Sequence, residues 1–185
     1  MSEYKEAKHL LKNRHEFLFG YDCSWANPNG DPMDENKPRI DEETGINLVR
    51  DARLKRTVRD TLQEDFGQHI LIRKELDEGG EETEKRETKK KDKKISNNLS
   101  YTGPVQFQYG KSLHRVEVIT FKGTSVIPSK KGNEQGTMTE THVVAYSFIA
   151  FYGIANEKNA QKTKLTDQDI DLMLEAMWIG HKAGS

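Results

Sequence analysis

HVVAYSFIAFYGI, residues 142–154, carries apolar side chains at odd and even positions alike. A strand that is apolar on both faces belongs in the middle of a sheet, covered on both sides, so this segment is expected to be the central strand. HEFLFGYDCSW, residues 15–25, has a different pattern. Phe17, Phe19, Tyr21, Cys23 and Trp25 alternate with Glu16, Leu18, Gly20, Asp22 and Ser24. That period of two predicts a half-buried strand with its aromatic residues on one face.

Helical periodicity follows. In DARLKRTVRDTLQEDF, residues 51–66, Leu54, Val58 and Leu62 recur every four positions and make one stripe. Asp51 suits the N-cap and Gly67 the C-terminal stop. LTDQDIDLMLEAMWIG, residues 165–180, predicts a second helix with Thr166 as N-cap and Asp169 at the capping-box position. Ile170, Leu174 and Met177 would form its buried face. Between the helices, residues 68–76 read as a strand, and residues 102–128 open with a turn and become extended. Residues 129–140 suit an extended hairpin, and Glu43–Gly45 a tight turn with short extended arms.

The order strand, helix, strand, further strands, helix defines an α+β class, compatible with a ferredoxin-like β-α-β-β-α-β unit. No strand is predicted after Trp178, so the last edge of such a unit is expected to be absent. The 185 residues suit a single domain. Hydrophobic residues make up 34% and charged residues 32%, and the mean hydropathy is -0.87, which predicts a lean core and some unfolded chain. The charged run DEGGEETEKRETKKKDKK supplies that chain, within a flexible insertion at about residues 77–100. The single cysteine excludes an internal disulfide and suits a reducing cytoplasm. The N-terminus lacks a signal-peptide pattern, and no apolar run is long enough for a bilayer, so no membrane partner is expected.

Catalytic patterns are sparse. Asp22, Asp31, Asp34, Glu35, Asp41, Glu42 and Glu43 crowd around NPNGDP. The calcium-loop spacing is absent, and Asx turns, two prolines and a Gly30 at positive φ explain the stretch without an ion. No histidines stand at H-x-x-x-H spacing, and no G-x-S-x-G frames a serine. Gly110–Ser112 reads GKS, but Val105 stands where a phosphate loop needs its first glycine. No catalytic residue, metal site or cofactor is therefore expected. The basic residues are more informative. Arg50, Arg53, Lys55, Arg56 and Arg59 cluster on the first helix, opposite its apolar stripe. A solvated face with intrahelical ion pairs would explain them. A second basic group (Lys111, His114, Arg115) favours the alternative, a surface that follows a nucleic-acid backbone.

The combination of F-x-Y-D, NPNGDP, PRIDEETG, LVRDARLKRTVRD and TGPVQFQYGKSLHRVE resembles the CRISPR-associated backbone family of type I Cascade complexes. The type I-B branch is most similar and the I-C branch next. GTM, HVVAYSFIAFYG and LTDQDIDLMLEAMW follow in the family's order. The resemblance implies a modified RNA-recognition-motif core with inserted loops and a β-hairpin thumb, at about residues 121–140 here. It implies a non-catalytic subunit that stacks with copies of itself along a guide RNA (crRNA), beside other Cascade subunits. Target DNA would be met by way of the guide. By matching motifs, Arg53, Lys55, Arg56 and Arg59 would contact guide phosphates, with Asn29 and Arg39 in neighbouring loops. Gln106, Lys111 and Arg115 would lie near the RNA path, and Lys130, Lys131 and Met138 in the thumb. The chain departs from the family in lacking a D-V-R-x-F-G-like strand before GPVQF and the last part of the domain. Related type III subunits cut RNA with a thumb aspartate, and none lies between Phe121 and Glu140. The alternative is a metal-dependent RNA-processing nuclease using Asp22, Asp31 or Asp41.

Overall fold

The computed structural model describes residues 10–70, 72–76, 82–86, 102–124 and 138–182, with the backbone alone for 72–76, 82–86, 124 and 138. Strands β1 (His15–Ala26), β2 (Gly30–Asp31), β3 (Lys37–Pro38) and β4 (Ile46–Val49) precede helix α1 (Asp51–Glu64). Strands β5 (Ile72–Leu76), β6 (Glu82–Arg86), β7 (Val105–Phe107), β8 (Gly110–Arg115), β9 (Val118–Thr124) and β10 (Met138–Ala155) follow. Helices α2 (Glu157–Thr163) and α3 (Asp167–Lys182) come last. This is a mixed α/β structure with antiparallel strand pairing. The chain divides into two compact units. One comprises Arg14–Leu54 and Val105–Ala155, and the other Met1–Asn13, Lys55–Pro104 and Asn156–Gly184.

The first unit is built on β10, in a sheet of order β1-β10-β8-β4. On one edge of β10, β1 pairs in constant register from His15↔Ala155 to Ala26↔Val144. Along the other edge, residues 105–124 return as β7, β8 and β9, and the register slips by one residue at each break. Phe17, Val49, Ile149 and Phe151 are buried on the inner face. Phe17 meets Phe107 at 6.4 Å between ring centroids, and Tyr21 stacks on Phe151 at 6.3 Å. Trp25 does not extend this row. Its φ of 52° turns it out of the ladder, where it is exposed and packs on Phe121 at 5.9 Å.

β10 is central, but it is not covered on both faces. Ser147, Ile149 and Phe151 are buried, whereas Tyr146 and Phe148 are 45% and 38% exposed. Aromatic residues on an open face look apolar in sequence, which is why the segment reads as two-sided.

The sheet holds a register defect around Asn47. Ile46 faces Arg115 and Leu48 faces Lys111, so Asn47 alone opposes Ser112, Leu113 and His114. The backbone amide of Asn47 finds no strand carbonyl there and donates to Ser112 Oγ (2.9 Å), which donates to the His114 carbonyl (2.6 Å). The Asn47 Nδ2 donates to the Arg39 carbonyl (2.8 Å), and Oδ1 accepts from Ser147 Oγ (3.3 Å). Asn47 and Ser147 are fully buried, so each group needs these partners.

The GKS of the sequence is part of this packing and not a phosphate loop. A Cβ on Gly110 would fall 2.4 Å from the Phe151 ring, so only glycine fits. The NPNGDP stretch leads into the β2–β3 hairpin. Here positive φ belongs to Glu35 (48°) and Asn36 (57°), not to Gly30 as expected. Gly30 is required for close approach, because a Cβ would fall 2.1 Å from Asn36 Oδ1. The predicted turn at Glu43–Gly45 is present: Gly45 has φ 70°, and its amide donates to the Asp41 carbonyl at 2.7 Å.

In the second unit, α3 starts as predicted. The Thr166 amide donates to Asp169 Oδ2 (2.9 Å), and the Asp169 amide donates to Thr166 Oγ1 (3.2 Å). Gly67 ends α1 at φ 62°, with the Gln68 amide donating to the Leu62 carbonyl at 2.8 Å. Two stripe residues differ from expectation. Thr61, not Leu62, is buried beside Val58 on α1, and Leu174 of α3 is exposed while Ile170, Ala176 and Met177 are buried. Thr61 is buried by close helix packing at Gly180, where a Cβ would sit 2.4 Å from Thr61 Oγ1. Helix α2 was not anticipated. Asn156 caps it by accepting from the amides of Lys158 and Asn159.

The strand expected at residues 68–76 is shorter and pairs with β6, from Ile72↔Arg86 to Leu76↔Glu82, in a sheet of its own. Part of the charged stretch is thus a strand and not loop. The rest of the expected insertion at 77–100 lies outside the described residues.

Asn47→Ala is expected to lower stability by about 2–3 kcal/mol, since two buried groups lose their partners. Ser147→Ala should cost less, about 1 kcal/mol for one long hydrogen bond. Urea midpoints measure both, and equal losses would show that Asn47 has no special role.

Candidate nucleic-acid interface

The outer face of the main sheet follows from the strand registers. Tyr146 pairs with Ser24, Phe148 with Asp22, Ala150 with Gly20, and Lys111 with Ala150, so these side chains share one face. The register defect adds His114 to it. The His114 ring lies parallel to Tyr146, 5.5 Å away at 7°. Its Nε2 accepts the Phe148 amide (3.2 Å), and its Nδ1 contacts the Arg115 carbonyl (2.7 Å). With Nε2 facing the Phe148 amide, Nδ1 is the ring nitrogen placed to donate to the Arg115 carbonyl. The result is an exposed row of flat rings with Lys111 beside it, a surface suited to stacking bases next to a phosphate chain.

Tyr146 and Phe148 were not singled out from the sequence. Their alternation within AYSFIAF carries the signal, but only if the second face is known to be open. The sequence did single out Lys111, His114 and Arg115. Lys111 and His114 lie on the row, and Arg115 is exposed where β8 meets β4. Gln106 is exposed on β7, opposite Ile154.

Helix α1 carries the other basic residues. Arg53 and Arg56 are exposed, and Lys55 and Arg59 half-buried. Arg56 pairs with Asp60 across one turn at 3.5 Å, an exposed and weak contact that leaves its charge available. Arg53 belongs to the first unit, and Lys55, Arg56 and Arg59 to the second.

The two loop residues have structural partners. Asn29 Oδ1 accepts the Arg50 amide (2.9 Å) just before α1. Arg39 donates to Asp31 Oδ2 at 2.6 Å, half-buried, and its carbonyl accepts from Asn47 and Leu48. Met138 begins β10 opposite Thr124, at the β9–β10 hairpin expected as the thumb. Lys130 and Lys131 lie outside the described residues.

The acids of the alternative reading serve turns or stand apart. Asp31 Oδ1 accepts the Met33 amide, Asp41 accepts from Glu43 and Thr44, and Asp22 lies on the outer sheet face. Among the described residues these three do not gather into one ligand cluster. Burial, helped by the charge of Asp22, raises the Cys23 pKa, so at neutral pH the group is a thiol and a poor nucleophile. No helix of the described residues is long and apolar enough to cross a membrane.

Two solved structures share this fold. A chain of a "CRISPR RNA-guided surveillance complex" superposes with a TM-score of 0.58 at 15% identity, covering 89% of this chain and 60% of that one. A chain of a "CRISPR RNA-guided surveillance complex, pre-nicking" gives 0.56 at 12% identity, covering 89% and 71%. The sequence profile of "CRISPR-associated protein Cas7" matches residues 13–184, and the chain belongs to that family. A CRISPR-associated protein Cas7 of Haloferax volcanii is 30% identical over 216 aligned positions. That alignment covers 90% of this chain and 63% of the relative's length.

The half-buried pair Arg39–Asp31 yields a test. Arg39→Ala and Asp31→Ala are each expected to cost about 1–3 kcal/mol by leaving a charged partner unpaired. The double variant should lose less than the sum of the two, as read from a double-mutant cycle in urea. Additive losses would mean that the two side chains do not interact.

Proposed function

We propose that this chain is a non-catalytic, guide-RNA-binding backbone subunit of a type I Cascade complex, of type I-B character. Membership of the Cas7 family across residues 13–184 carries the reading. The motifs NPNGDP, PRIDEETG and GPVQFQYGKSLHRV support the subtype. Its partners would be crRNA, copies of itself, other Cascade subunits, and target DNA by way of the guide. The proposed compartment is the cytoplasm, whose reducing conditions suit the free Cys23.

The finer fold is proposed to be ferredoxin-like, of the RNA-recognition-motif type. In that topology the first, third and second strands lie side by side, antiparallel, with a helix after the first and after the third. β1, β10 and β8 adjoin in that order, with α1 following β1 and α3 following β10. β4 is then an addition at the outer edge. The whole chain would form one functional domain, with its thumb on the β9–β10 hairpin.

Two surfaces are proposed to meet RNA. Arg53, Lys55, Arg56 and Arg59 on α1 would hold phosphates, and Lys111, Tyr146 and Phe148 on the sheet would hold backbone and stacked bases. Arg115 and Gln106 flank the second surface. Asn29 and Arg39 contribute by fixing the loop, and Lys130, Lys131 and Met138 are assigned to the thumb.

Arg56→Glu with Arg59→Glu is expected to weaken binding of a crRNA-length oligonucleotide at least ~10-fold. Loss of two phosphate contacts should flatten the salt dependence by roughly 1.4 log units per log unit of salt. Fluorescence anisotropy across a salt series measures this, and circular dichroism checks the fold. Unchanged affinity would remove α1 from the interface. RNA should also stay intact with Mg²⁺ present; cleavage abolished by EDTA would favour the nuclease reading.

A further inference from the structure

His142 is buried, with only 6% of its surface exposed, between the exposed Glu140 and Thr141 and the buried Val143 and Val144. Its Nδ1 is 2.9 Å from Thr120 Oγ1 on the paired strand β9. Its Nε2 is buried and has no hydrogen-bond partner. A buried imidazole nitrogen without a partner costs free energy unless something else satisfies it.

Two carboxylates stand beside it. A ring nitrogen of His142 and one carboxylate oxygen from each of Glu35 and Glu140 lie within 4.8 Å of one another. Glu140 precedes His142 by two positions on β10, and Glu35 comes from the turn of the β2–β3 hairpin. Lysines hold both acids: Lys122 lies 3.1 Å from Glu140, and Lys37 lies 2.9 Å from Glu35 and 3.0 Å from Asp34. Three carboxylates against two ammonium groups leave the cluster with one net negative charge. Both glutamates are exposed, so their side chains are able to turn, and water has access to the remaining coordination positions.

We infer that Glu35, Glu140 and His142 form a binding site for a divalent transition-metal ion of the Zn²⁺ class, which ties the β2–β3 hairpin to the base of the β9–β10 hairpin. One imidazole with two carboxylates is a donor set for such ions, whereas Mg²⁺ prefers oxygen alone. Thr120 plays the outer role common in such sites: it fixes the ring through Nδ1 and leaves Nε2 for the ion. Ligand distances near ~2.1 Å require the three donor atoms to draw together, which the two exposed glutamates allow. The ion would displace a lysine from each carboxylate it takes. The inference is independent of the RNA-binding reading, since no residue of the site belongs to either proposed RNA surface.

The full chain, stripped with EDTA and dialysed, is titrated with ZnCl₂ by calorimetry and, separately, with MgCl₂. One saturable Zn²⁺ site is expected, with a rise in melting temperature and much weaker Mg²⁺ binding. Glu35→Gln and Glu140→Gln keep the shape of exposed side chains and should each weaken Zn²⁺ roughly 10-fold or more. His142→Gln should abolish the site, and His69→Gln should leave it unchanged. Absence of saturable Zn²⁺ binding would overturn the site. So would unchanged affinity in both glutamine variants of the acids, or Mg²⁺ binding as tight as Zn²⁺.

Discussion

The backbone amide of Asn47 sits in the interior of a sheet with no strand carbonyl opposite it, and the sheet around it is organised by that deficit. Ser112 turns its hydroxyl to the amide and hands its own proton to the His114 carbonyl. The side chain of Asn47 then binds the Arg39 carbonyl on one side and Ser147 of β10 on the other. Three separate segments thus converge on one buried residue. An apolar residue at position 47 would leave the Arg39 carbonyl and the Ser147 hydroxyl without this partner, which explains a polar side chain in a core this lean.

The same defect shapes the outer face. With Asn47 alone opposite three residues of β8, regular alternation fails there, and His114 lies against Tyr146 instead of pointing inward. The ring then replaces a backbone acceptor for the Phe148 amide. The defect therefore joins core to surface: the bulge that buries Asn47 also orders the aromatic row. A regular β8 would bury the residue at position 114 and leave Tyr146 without its stacked neighbour.

Features set by short stretches of chain were legible in the sequence. The capping box at Thr166, the stop at Gly67 and the alternation of β1 each need only a few adjacent residues. The basic cluster on α1 was legible for the same reason. Asn47 was not, because its partners lie 65 and 100 positions away. The open face of β10 was hidden by chemistry, since tyrosine and phenylalanine look alike in a core and on a stacking platform. Thr61 displaced Leu62 from the buried stripe because of Gly180 on another helix, which periodicity within α1 cannot reveal. Within the motifs that suggested RNA contacts, Asn29 and Arg39 hold backbone and an ion pair. A family motif mixes residues that keep the fold with residues that touch the ligand, and sequence gives both the same weight.

The acids around NPNGDP make the same point about charge. Seen in one dimension they form a single acidic stretch, and a metal loop or a catalytic cluster is the natural thought. In three dimensions they part company. Asp31 turns back on Met33 and Arg39, and Asp41 closes its own turn. Both carboxylates are therefore spent on holding the loop. The left-handed backbone at Glu35 and Asn36 sends the hairpin the other way, and a Glu35 carboxylate oxygen lies within 4.8 Å of Glu140 and of a ring nitrogen of His142, more than a hundred positions away in the chain. If an ion binds in this stretch, chain reversal selects the acid that leaves the local cluster and reaches the buried imidazole of His142, whose Nε2 lacks a partner.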